Sequence, residues 1–225
     1  MRVARGFDVL RSVAENPRAD LSASRLKLRR EAVELVRAEQ LVEAAYTYDL
    51  VALDAPATEM LQVGGEVLQA PRLLPESGRL TALACAVCTL GPALEARVSA
   101  LFAERRASMA LMLDTLGNEL LMAISRRAQD RMLVDARRRG LMMVGELRAG
   151  DPGLALDAQA TVLRLAQSEL IGVRLMAGHL MHPLKSVSMV LGVGIDLPPA
   201  QWSRCDDCPQ RGKCGAVSRS RMAAL

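Results

Sequence analysis

The chain has 225 residues, with 29 basic and 25 acidic side chains, a formal net charge of +4, 51% hydrophobic residues and 2% aromatics. That length buries a sizeable core without help from disulfides or metal, and it fits one domain. The small basic excess, with two Tyr, two Phe and one Trp, leaves little for base stacking and argues against nucleic acid as a partner. Arg-rich runs at 104–106 and 137–139 sit inside helical patterns and read as solvated faces.

Residues 1–10 are charged and mixed, with no apolar core of a signal peptide behind them, and no uncharged stretch reaches the length of a membrane span. The expectation is a cytoplasmic protein with no membrane contact. Twelve Met residues predict a soft interior, since thioether chains fill irregular gaps.

The first 50 residues read as a mainly helical N-terminal part. After Pro17, residues 21–48 place Leu26, Val33, Leu35, Val36, Leu41 and Val42 at roughly helical spacing, with Ser22 or Ser24 as the cap. Between 49 and 78 the prolines at 56, 71 and 75 and the Gly64-Gly65 turn predict loops and short strands. The run 80–89 is continuously apolar and stops at Gly91-Pro92, as a buried strand should. Two amphipathic helices are predicted over 93–106 and 108–139, the second closed by Gly140. A strand at 141–147, a turn at 148–153, a helix at 157–168 and strands at 171–176 and 186–192 complete the pattern. From 198 onward the chain reads as a cysteine-containing tail, with no linker dividing it from the 80–197 core.

Four features carry possible chemistry. Cys205, Cys208 and Cys214 form a C-x2-C step with a third thiol six positions on, around Pro209 and Gly212. That spacing lets three thiolates grip one metal, as zinc or as an iron–sulfur cluster, with Cys85, Cys88 or a His as a fourth ligand. Cys85 and Cys88 sit in an apolar strand, where residues three apart point to opposite faces, so they read as buried small hydrophobes. Arg148, followed by Pro152-Gly153, forms a turn after a strand, where a guanidinium and backbone N–H groups can meet an anion. Lys185, Ser186 and Ser188 place two hydroxyls on one strand face beside a cation; the plain alternative is an edge strand with a solvated face. His179 and His182, the only histidines, lie in the loop before it.

Taken together, several of these stretches resemble the activation domain of cobalamin-dependent methionine synthase. The residues are Ile171-Gly172-Val173-Arg174-Leu175, Met181-His182-Pro183 and Lys185-Ser186-Val187-Ser188, with Thr89-Leu90-Gly91 and Leu113-Asp114-Thr115-Leu116-Gly117 upstream. Arg148 and Pro152-Gly153 resemble the family turn that holds S-adenosylmethionine (AdoMet), and stand-alone relatives often carry a similar cysteine tail. The likeness spans about residues 80–215.

What the resemblance implies is an α/β (α+β) fold with a central, largely antiparallel sheet and flanking helices. It also implies AdoMet contacts at Arg148, Pro152, Gly153, Lys185, Ser186 and Ser188, and a corrinoid protein or corrinoid-dependent methyltransferase as partner. That partner would carry the cobalamin, restored from its cob(II) state by reduction and methyl transfer. The chain departs from the pattern by one extra residue between Arg148 and Pro152, by Leu154 where the family has Tyr, and by Ala177-Gly178 where it has Thr-Glu. Two other functions compete. One is a non-catalytic metal-binding or iron–sulfur protein that has lost the AdoMet site. The other is a free-standing methyltransferase, against which stands the absence of a Gly-rich strand-to-helix fingerprint.

Overall fold

A computed structural model describes residues 1–14 and 21–199. Its centre is a five-stranded, wholly antiparallel sheet in the order β1-β2-β5-β9-β6. The strands are β1 (Arg2–Arg5), β2 (Ala45–Ala52), β5 (Arg79–Thr89), β6 (Met142–Leu147) and β9 (Ser186–Ile195). Two hairpins lie outside it, β3 (Met60–Val63) with β4 (Glu66–Gln69), and β7 (Arg174–Leu175) with β8 (Met181–His182). The expected α/β architecture with a largely antiparallel sheet and flanking helices is what the chain adopts.

Both faces of the sheet are covered, which explains the unbroken apolar runs of its central strands. On β5, Ala82, Ala84, Ala86 and Cys88 point to one core, and Leu80, Leu83, Cys85 and Val87 to the other. The first core lies under α1 (Leu10–Ala14), α2 (Ala23–Ala38), α3 (Ala93–Ala103) and the long α4 (Ala107–Arg138). The second lies under α5 (Gln159–Leu165) and the β3–β4 hairpin.

α4 is long and apolar enough, by length and composition alone, to cross a membrane. Its apolar stripe is used within the fold instead. Leu113, Leu116, Leu120 and Ile124 recur at spacings of three and four and are fully enclosed in the first core. Each such side chain contributes roughly 1.5–3 kcal/mol by leaving water.

The N-terminal 50 residues differ from the helical expectation. Ser22 does cap α2, accepting the Arg25 N–H, and Ala32, Val33 and Val36 are buried on its inner face. The helix nevertheless stops at Ala38, where Gln40 takes the left-handed conformation with φ of 51°. The chain then enters β2, and β1 pairs with β2 through Arg2–Tyr48 to Arg5–Ala45. β1 and most of β2 fall in the stretch read as mainly helical, and only the end of β2 reaches the part where short strands were expected.

Further along, the Gly64-Gly65 turn joins β3 to β4, both glycines at positive φ (58° and 74°), as a tight hairpin requires. The strand expected at 171–176 shortens to Arg174–Leu175, because 168–171 coil into a 3-10 turn first. β9 lies between β5 and β6 in the strand order, and although β6 pairs with it only over 190–194, Ser186 and Ser188 are buried, so the solvated-face alternative for them does not apply. At Gly194 a Cβ atom would sit 2.0 Å from the Arg79 carbonyl oxygen, so only glycine lets β9 approach β5 this closely.

Candidate functional site

The candidate residues gather at the end of the sheet where β5 finishes and β9 begins. Lys185, just before β9, turns toward α4, where Nζ meets Asp114 Oδ1 and Asn118 Oδ1, each at 2.7 Å. Arg148, just after β6, reaches the same helix one turn further along, with both terminal nitrogens 4.0 Å from Met122 Sδ. Asp114, Asn118 and Met122 are successive i, i+4 positions, so they share one face of α4. Arg148 and Lys185 are therefore brought to neighbouring points on one helix face.

Arg148 is held from two sides. Its Nε and Nη2 both bond Glu146 Oε1 at 2.9 Å, while its backbone N–H donates to Asp151 Oδ2 at 2.9 Å. The second bond belongs to the turn, which also has Asp151 N–H donating to the Arg148 carbonyl and Leu154 N–H to the Asp151 carbonyl. Gly153 lies at φ of 90°, and a Cβ there would stand 2.7 Å from Arg72 Cγ and Cδ. Arg72 Nη1 in turn donates to the Pro152 carbonyl at 3.3 Å. Thus glycine is required at 153 both by its conformation and by the side chain lying over it.

The segment before β9 is anchored by Glu95 on α3, which sequence reasoning missed. Its Oε2 accepts the Leu184 and Lys185 backbone N–H groups at 2.5 and 3.3 Å, and its Oε1 lies 3.7 Å from His182 Nδ1. The His182–Pro183 peptide bond between them is cis. His179 is exposed on the neighbouring turn.

Ser186 and Ser188 do share one strand face, but it is the other face. Ser186 Oγ pairs with Thr89 Oγ1 at 2.8 Å, and Ser188 Oγ with Gln159 Oε1 of α5 at 3.2 Å. Both serines are buried. The structure thus joins Arg148 and Lys185 through α4 and sends Ser186 and Ser188 into the interior beneath α5.

Cys85 and Cys88 are fully buried, one in each core. Burial pushes both thiols up to about 12; at Cys88 the charges of Arg148 and Glu146 and a bond with Ser125 add smaller, mixed effects. The neutral thiol is the stable form at each, which agrees with the buried-hydrophobe reading. Cys205, Cys208 and Cys214 lie outside the described residues. Among the described residues no group of three or more His, Cys, Asp or Glu side chains is placed to hold a metal ion.

An open groove lined by Leu53, Asp54, Pro56, Leu74, Arg79 and Thr81 lies at the start of β5, at the opposite end of that strand from Cys88.

No protein-family model matches the chain, and no curated protein matches it in sequence. Its structure is similar to the crystal structure of the MetH reactivation domain bound to AdoHcy. The TM-score is 0.64 at 13% sequence identity, covering 99% of this chain and 89% of that one. The chain has the methionine synthase activation domain-like fold expected from its motifs.

Proposed function

We propose that this protein is an AdoMet-binding accessory protein of a corrinoid-dependent methyltransferase system, acting in reductive reactivation of the partner's cobalamin. The observation that carries the reading is the fold shared, end to end, with a reactivation domain that binds AdoHcy. Arg148 supports it locally. The guanidinium edge formed by Nη1 and Nη2 faces a thioether, a weak acceptor, and a ligand carboxylate would be a far better partner there. Pro152 and Gly153 shape the adjoining turn, and Lys185 lies one helical turn away. Ser186 and Ser188 would support the site through packing rather than contact, since their hydroxyls are engaged inside the protein.

Cobalamin carried by the partner would accept an electron and then the AdoMet methyl group. The cysteine tail would hold zinc or an iron–sulfur cluster, as a structural clasp or an electron source, in a cytoplasmic setting. One observation favours the competing role of a metal-binding protein without AdoMet. Leu154, standing where related turns carry Tyr, is enclosed in the core beneath α5 and is out of reach of a ligand.

The test is spectroscopic. A cob(II)alamin-loaded corrinoid protein of the same organism is mixed with this protein, AdoMet and a low-potential reductant. The cob(II) absorption should give way to that of methylcobalamin faster than without the protein. Unchanged rates with every corrinoid protein of the organism would remove the reactivation role.

A further inference from the structure

We propose that the groove at the start of β5 seats Trp202, the one tryptophan of the chain, and so ties the cysteine-containing tail to the body of the domain. The inference is independent of the AdoMet reading and concerns where Cys205, Cys208 and Cys214 are held.

The end of β9 fixes where the tail leaves the domain. β9 runs antiparallel to β5, and its last residue, Ile195, pairs with Arg79, the first of β5. The Asp196 carbonyl then lies so close to Gly78 that a Cβ there would stand 2.2 Å from its oxygen. Leu197 is 1% exposed in the second core, which pins the chain again just before Pro198 and Pro199. Gly78 and Arg79 are also walls of the groove, so the tail departs from the groove's own rim. Trp202 lies outside the described residues, three positions past Pro199. Three residues span at most about 11 Å, so Trp202 stays within a short reach of that rim.

The groove has the chemistry an indole calls for. Its volume is about 730 Å³, and Leu53, Pro56, Leu74 and Pro75 give it apolar walls. Leu53 and Leu74 pack on the second core, which holds those walls in place. Arg79 is exposed at the rim, and a guanidinium is drawn to the face of Trp more strongly than to Tyr or Phe. Asp54 has its Oδ2 fixed by the Gly65 N–H at 2.8 Å, and its Oδ1 can accept the indole N–H, the one polar group of that side chain. Between 200 and 216, Trp202 is the only large apolar side chain, so no other residue near the exit matches this combination. Once seated, Trp202 would keep Cys205, three residues further on, within about 11 Å of the groove. The cysteine loop would then be held against the domain at the start of β5.

The test uses Trp202 as its own reporter, since a single tryptophan makes the emission of the full chain unambiguous. Native protein should emit to the blue of urea-unfolded protein, and acrylamide should quench it several-fold more weakly. Ala55→Phe fills the groove from its own wall, and Arg79→Glu removes the cation from its rim. In each variant the emission should shift to the red and the quenching should rise several-fold toward the unfolded value.

Thermal melting of both variants separates loss of fold from loss of contact; if Ala55→Phe does not fold, Arg79→Glu and the wild-type spectra decide. Native emission and quenching equal to those of the unfolded chain overturn the proposal. Shielding that survives in the folded variants also overturns it, because the indole then lies on another surface. Shielding that fades on dilution does the same, because the groove is then filled by a second copy of the chain. AdoMet binding is read separately by titration, so failure here leaves the AdoMet reading standing.

Discussion

The Tyr48 hydroxyl donates to Asp135 Oδ2 across 2.8 Å, joining β2 to the last turns of α4. Arg2 from β1 reaches the same oxygen at 3.1 Å, and Arg138 stands 3.7 Å from the other. Asp135 is buried, so this cluster is what makes a carboxylate tolerable beneath the outer strand. Burial and the bond to Asp135 push the Tyr48 hydroxyl well above the ordinary tyrosine range, so it remains a donor at any working pH.

Tyr48→Phe should therefore destabilise the fold by about 1–3 kcal/mol, the cost of leaving a buried acceptor short of a partner. The loss should depend on pH. Burial alone would raise Asp135, but the Tyr48 bond and the charges of Arg2 and Arg138 outweigh it and hold the carboxyl below its usual range. A depressed carboxyl contributes stability above the unfolded value, near 4, and loses it as pH falls through the folded one. The melting-temperature gap between wild type and Tyr48→Phe should be full at neutral pH and narrow below about pH 4. A gap that stays constant into acid would mean Asp135 is not the group involved.

Cys85 and Cys88 should resist alkylation. With both thiols enclosed and pushed up to about 12, the reactive thiolate is scarce and unreachable. Native protein treated with a maleimide and digested for mass spectrometry should show neither residue labelled, and denatured protein should show both. Labelling of either in the native state would refute the buried placement.

The turn at 148–153 offers a separate test. Gly153→Ala forces a side chain into the left-handed region and against Arg72. The change should cost roughly 1 kcal/mol or more of stability, read from chemical denaturation, and it should weaken AdoMet binding by moving Arg148. Gly150→Ala, also at positive φ but with only an ordinary contact near its Cβ, Leu156 Cδ1 at 3.7 Å, serves as the comparison for backbone strain without a clash.

The cysteine tail is tested by metal content. Anaerobically purified protein should carry iron with sulfide, or one zinc. Replacing any of Cys205, Cys208 or Cys214 by Ser should empty the site, because the ligands share one ion. Metal-free protein, or protein whose metal survives these changes, would remove the tail from the functional proposal.

The parts of the fold that were legible in the sequence are those with two-sided burial or a long helical stripe. β5 announces itself because both of its faces are covered, and α4 because Leu113, Leu116, Leu120 and Ile124 recur at helical spacing. β2 was masked because Leu41 and Val42 extend the helical spacing of α2 past its true end. The signal that stops α2 is Gln40 in a left-handed conformation, where glycine is the usual marker. β1 is a four-residue outer strand whose pairing with β2 no local pattern reveals.

The candidate site was legible in its ingredients and not in its grouping. That Ser186 and Ser188 share a face follows from strand alternation, but which face depends on pairing with β5 and β6. Glu95 meets the Leu184 and Lys185 backbone from 89 and 90 residues away. Met122 meets Arg148 from 26 residues away. Contacts of that range leave no periodic trace in the chain, so the residues that hold Arg148 and Lys185 in place emerge only from the folded structure.

The central claim is that the Arg148 turn still binds AdoMet, and calorimetric titration of wild type beside Arg148→Ala tests it most directly. The expected result is saturable binding by the wild type, weakened about 1.5–3 kcal/mol in Arg148→Ala, or roughly 10- to 150-fold. Heat-silent titration of folded wild type at millimolar AdoMet, or equal binding by the two proteins, would contradict it.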